Sequence, residues 1–204
     1  MTPPAHCSSR VSGENYGHGV LTALDNRYGP DPRRDDIEAA WELSTGASYA
    51  GQFGLYWRAL QELTKAQDLL RGANDQEAAD LHARDTLVYV LLFFVDTVLA
   101  AKSPDVSWLV DAHAAATEAV ETQRTLLVEL QESELPYKDE LVVDGHETLV
   151  FALANLASVA LACGLVDEAR ICIRDAEIAS SSVRPHTTEF FASVLDAAHR
   201  QLDP

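Results

Sequence analysis

The stretch from Thr86 to Ala101 is apolar on nearly every side of a helix, and Asp96 is its one charge. A helix of that kind cannot turn a face to water, so neighbours must surround it. The same run returns 62 residues later, from Thr148 to Cys163. The two copies agree at Thr86, Leu87, Val88, Leu91, Leu99, Ala100 and Asp105, matched to Thr148, Leu149, Val150, Leu153, Leu161, Ala162 and Asp167. The echo predicts helical hairpins, an architecture that mostly builds binding surfaces. Two helices rich in Ala, Leu and Val also reach such agreement by chance, and both readings stay open. The N-terminal copy, apolar all round, reads as the centre of a bundle rather than one rung of an open solenoid.

Periodicity elsewhere is helical too, and no stretch alternates as a strand does. Residues 1–30 are rich in Ser, Gly, Pro and Asn and read as a flexible tail. Residues 31–204 read as a single all-α domain of seven helices in antiparallel hairpins. Asp31-Pro32 is a helix start, and Ile37, Ala40, Trp41 and Leu43 give a short amphipathic helix that stops near Ser44-Thr45-Gly46. The next helix is expected over about Ser48 to Leu70, with Tyr49, Phe53, Tyr56, Trp57, Leu60, Leu63 and Leu70 on one stripe. Gly51 and Gly54 weaken it. Asn74 and Glu77 form a capping box for the helix that ends near Lys102. Ser103 caps the following helix, with Pro104 at its first position and Asp105 on its positive end. That helix reaches Glu132, with a main loop over Glu132 to Asp144. Asp144-Gly145-His146-Glu147 repeats the capping logic, Gly164 ends that helix, and two more follow over Asp167–Ser181 and Pro185–Leu202.

Leu153, Leu156-Ala157, Ala160, Gly164, Ala169, Ile173 and Ala176 fall on the packing positions of one tetratricopeptide repeat. The segment Leu149 to Ala179 resembles that family, although its Trp and Tyr positions hold Leu153 and Ala160. The resemblance implies a helical-hairpin scaffold that binds a protein or peptide. A second resemblance is to the TorD-like chaperones of redox enzymes. Glu134-Leu135-Pro136, then Asp144-Gly145-His146, then Leu149 to Leu153 follow that family's order, with Gly145 interrupting its Asp-His pair.

Charge narrows the partner. Acidic residues number 32 against 15 basic, for a net charge of −17, and the lysines are Lys65, Lys102 and Lys138. Such a surface repels nucleic acid and anionic lipid and favours basic protein partners. The balance resembles that of salt-adapted proteins; a high-GC genome also favours Arg over Lys. Cys7, Cys163 and Cys172 follow no disulfide or ligand spacing and suit a reducing cytoplasm. Residues 1–30 lack a basic start followed by an apolar run, so no secretory leader is expected.

The seven histidines lie at no ligand spacing, and His82 reads as surface electrostatics beside Glu77 or Asp85. No catalytic residue, cofactor-binding residue or metal ligand set is singled out, and no cofactor is expected. A small-ligand pocket or enzyme inside the bundle remains an alternative. The candidate partner-binding residues are Tyr56, Trp57 and Arg58, an aromatic pair beside an arginine. The competing reading makes these rings the buried face of a long helix. Tyr56 and Arg58 are expected to be more exposed than Phe53. A homo-oligomer is possible.

Overall fold

In the computed structural model the described residues are 33–71, 81–101 and 103–202. The expected tail, the Asp31-Pro32 helix start and the Asn74–Glu77 capping box lie outside them. The described residues form seven helices and no strand: α1 (Arg34–Gln52), α2 (Tyr56–Arg71), α3 (Leu81–Ala100), α4 (Val106–Glu132), α5 (Lys138–Ala162), α6 (Val166–Ser180) and α7 (Thr188–Leu202). Each helix packs on the next. In addition α1 touches α3, α3 touches α5, and α5 touches α7. The odd-numbered helices therefore run side by side. α3 is enclosed on most sides, as its apolar surface demands: Val88, Val90, Leu91, Val95 and Val98 are fully buried. α5 also has the length and apolar composition of a membrane span, but most of that stretch is buried inside the fold.

Small side chains set the helix spacing. Ala47 and Ala50 in α1, Ala59 and Ala66 in α2, Ala112, Ala116 and Ala119 in α4, and Ala157, Ala160, Ala169 and Ala176 in α5 and α6 are all buried. Alanine at a crossing point lets two helix axes approach closely while larger residues fill the flanking grooves.

Two turns are chemically alike. Gly54 and Gly164 have φ of 74° and 78°, a left-handed conformation that costs other residues energy. At the first, Gly54 N–H donates to Gly51 C=O and Leu55 N–H to Ala50 C=O, both at 2.9 Å. At the second, Gly164 N–H donates to Leu161 C=O at 3.0 Å and Leu165 N–H to Ala160 C=O at 2.8 Å. This is the paired Schellman pattern that closes a helix. Around these turns Leu43, Ala47, Ser48, Ala50, Gly54, Leu55, Ala59 and Ala66 match Leu153, Ala157, Ser158, Ala160, Gly164, Leu165, Ala169 and Ala176, 110 positions on. The α1–α2 and α5–α6 hairpins are thus the better-matched pair. The 62-residue echo pairs α3 with α5, the two enclosed helices.

Five expected boundaries move. One is the start of α7, which begins at Thr188 because residues 181–187 form turns rather than the helix expected from Pro185. α1 does not stop at Ser44-Thr45-Gly46: Ser44 and Thr45 hydroxyls donate to Ala40 and Trp41 carbonyls at 2.8 and 2.9 Å, which satisfies them inside a helix. The single helix expected over Ser48–Leu70 is instead broken at Gly54. The α4 cap is Asp105 rather than Ser103, its carboxylate accepting from Ser107 N–H at 2.9 Å. α5 begins at Lys138, so the loop expected to Asp144 spans only 133–137. Asp144-Gly145-His146-Glu147 lies inside α5. There Gly145 brings the backbone against α4, its carbonyl accepting from Gln123 Nε2 at 3.1 Å. His82, expected on the surface, is 2% exposed.

Candidate binding groove

The odd-numbered helices place one outward stripe each along a shared furrow. α1 contributes Ser48 and Gly51; α3 contributes Tyr89, Phe93, Asp96 and Thr97; α5 contributes Glu147, Phe151 and Asn155. The α3 residues are spaced three and four apart, which puts them on one helix face. Two clefts result, about 320 Å³ between α1 and α3 and about 300 Å³ between α3 and α5. Phe93 and Asp96 border both. Phe93 is 42% exposed, which for an aromatic ring at the centre of a furrow leaves apolar surface for a ligand to cover.

Aromatic contacts extend the furrow at both ends. Trp41 and Tyr89 join α1 to α3 with ring centroids 6.2 Å apart. Phe151 on α5 meets Phe190 and Phe191 on α7 at 5.5 and 5.1 Å. Phe191 is buried, while Phe151 and Phe190 keep exposed faces.

The polar groups of the furrow divide into committed and open. Arg184, just before α7, donates to Glu147 at 3.0 Å and also to Asp144. Thr187 Oγ1 donates to the same Glu147 at 2.8 Å. These two carboxylates therefore anchor α7 to α5, the role that displaces them from helix capping. Asp96 is different. It forms no ion pair among the described residues, and the Asn155 side chain lies beside it on the wall of the α3–α5 cleft. Asp96 is exposed to solvent, with the walls of the two clefts partly burying its carboxyl on either side. That burial raises its carboxyl above the ordinary range, and the Asn155 hydrogen bond opposes the rise.

The three candidate partner-binding residues are not brought together. Tyr56 is half-buried and lines the α1–α3 cleft. Trp57 is 61% exposed and stacks on Trp108 of α4 at 6.0 Å, beside a hollow of about 400 Å³ lined also by Lys65, Phe94 and Asp111. Arg58 pairs with Glu62 one turn on, at 2.9 Å. The rings do not form one buried stripe: Tyr49, Phe53 and Trp57 are exposed while Leu60, Leu63 and Leu70 are buried. Phe53, at 79% exposure, is more open than Tyr56, against expectation. The break at Gly54 is the reason, since it resets the helical phase between Phe53 and Tyr56.

Asp96 and Asn155 were not candidates from the sequence. The available signal was the single carboxylate in an otherwise apolar run. Cys172 is buried on α6, and burial pushes its thiol up to about 11. It stays protonated and packs as a small apolar group. Among the described residues no three His, Cys, Asp or Glu side chains gather as a metal site. Comparison with family models, with curated proteins and with solved structures found no match.

Proposed function

We propose that this chain is a protein-interaction module, an adaptor of tetratricopeptide-like hairpins, that binds a protein or peptide along the furrow of α1, α3 and α5. The observation that supports this reading most is the exposed Phe93 at the meeting point of two clefts, walled by Tyr56, Tyr89 and Phe151. An extended or helical segment laid across parallel helices covers such a stripe with its alternate side chains. The matched Gly54 and Gly164 turns favour a hairpin repeat. So does the contact of each odd-numbered helix with the next. α7 then closes the array with its polar outer side. The surplus of carboxylates makes a basic partner the natural one and disfavours nucleic acid and anionic membranes. Salt-adapted cytoplasm is the setting that this charge suits.

The chaperone alternative needs the Glu134–His146 segment as a loop over a cleft, and residues 138–146 are helical instead. No specific observation favours an enzyme.

The test is selection from a phage library of random dodecamers at molar KCl, followed by binding to a Tyr56→Ala/Phe93→Ala variant. Phe93 is exposed and Tyr56 half-buried, so a melt of the variant checks that it stays folded at the assay temperature. The expected result is a family of peptides that bind the parent and lose about tenfold or more on the variant. Trp57→Ala, on the α2–α4 side, serves as the second arm. Peptides that prefer the Trp57 surface would move the interface there, and a library that yields no binder would refute the reading.

A further inference from the structure

We propose that the furrow recognises an arginine side chain of its partner, with the guanidinium seated on the Asp96 carboxylate between the aromatic walls of the two clefts. This rests on the interaction reading above and names the chemistry at its centre.

Four observations converge on that residue. Asp96 borders both clefts, so a chain crossing from one to the other must pass it. Asn155 stands beside the carboxylate, and an ionised carboxyl offers about four acceptor positions, enough to take a forked guanidinium as well. The other acids of the furrow, Asp144 and Glu147, are held by Arg184 and Thr187. The furrow's own cation is therefore spent on α7, and the centre is left with negative charge. Finally, Tyr56 and Phe93 on one side and Tyr89 and Phe151 on the other present rings along the same path.

Arginine suits that setting better than lysine. Its planar guanidinium can fork onto a carboxylate and lie flat on a ring at once. An ammonium is a compact, strongly hydrated point charge that gives up more water to enter. Asp96 is exposed at the junction of the clefts, so an incoming guanidinium can reach it, and a peptide that covers the clefts would exclude the waters that screen the pair. The pairing also explains how a carboxylate that burial disfavours is tolerated: the bound cation restores the ionised form.

The experiment uses the full chain and the tightest dodecamer from the library. The parent pool should be enriched in arginine at one position. Replacing that arginine by citrulline, which keeps the shape and removes the charge, should weaken binding about tenfold. Lysine there should fall between the two. On Asp96→Asn the citrulline replacement should cost less than about threefold, since the charge partner is gone. Asp96→Ser, which keeps a polar acceptor, gives the same readout if the asparagine variant does not fold. A pool without arginine enrichment overturns the proposal. So does a citrulline penalty that persists on both Asp96 variants. In either case binding that survives in the parent would leave the interaction reading standing. A library without any binder removes both.

Discussion

Gly51 and Gly54 stand three residues apart, and alanine at each should move stability in opposite directions. Gly51 lies inside α1 with helical backbone, and an added Cβ would meet nothing within 4 Å. Alanine there gains helix propensity of about 1 kcal/mol. Gly54 also has open space for a Cβ, so packing does not enter. Its φ of 74° does. A left-handed residue with a Cβ costs about 1–2 kcal/mol, and the reduced freedom of the unfolded chain returns roughly 0.5 kcal/mol. The net loss is about 1 kcal/mol, so the two variants should differ by about 2 kcal/mol. For a chain of this length that corresponds to a gap of roughly 4–8 °C in Tm. Thermal melts followed by circular dichroism, at one fixed KCl concentration, measure it. One uninterrupted helix over both positions would make both substitutions stabilising. If both variants raise Tm, the turn at Gly54 and everything built on it is wrong. Gly164→Ala, at 78° and equally open, should repeat the Gly54 loss.

Other outcomes follow from the ion pairs and from Asp96. Arg184→Ala removes the bonds to Asp144 and Glu147 that hold α7 and should cost about 1 kcal/mol; an unchanged denaturation midpoint would show that α7 docks by its phenylalanines alone. Stability should rise with KCl toward molar concentrations, because salt screens the repulsion of a −17 chain; a Tm flat or falling with salt would sink the salt-adapted reading. Asp96 has its carboxyl raised in the folded state, so the stability it contributes is full at low pH and lost as pH rises through the raised value. Asp96→Asn should therefore melt above the parent at neutral pH. The difference should vanish below the ordinary carboxylate range. Equal melting at neutral pH would refute the burial of that charge. Tyr89, Asp144, Glu147 and Arg184 share the furrow and are present in both proteins, so the comparison isolates Asp96.

How far the fold could be read from residues alone is clearest where signals competed. The all-helical class and the closing glycine at Gly164 follow from local pattern: a 3.6-residue period and a small residue at its end need no distant partner to take effect. The same local signal misled at Asp144–Glu147. Those residues have the form of a capping box, yet Gly145 presses its backbone on Gln123 and Leu127 of α4, and Asp144 and Glu147 bind Arg184, 40 and 37 positions away. Packing and ion pairing outweighed a cap. At Ser44-Thr45-Gly46 weak helix formers were read as a stop, whereas in-helix hydroxyl bonds and a buried Ser44 carry α1 through.

The candidate site shows the same division. An aromatic residue beside an arginine is visible in any sequence, but which side of a helix faces a partner depends on where the helix restarts, and Gly54 decided that. Separated by the turn, Tyr56 joins the furrow, Trp57 joins Trp108 and Arg58 joins Glu62. By itself the sequence determined helices, an enclosed α3, and a surface that repels its own charge, because period and composition act over one or two turns. Only the tertiary structure decided that α1, α3 and α5 lie side by side with Asp96 between two clefts, because that juxtaposition is set by alanine-lined crossings between helices far apart in the chain.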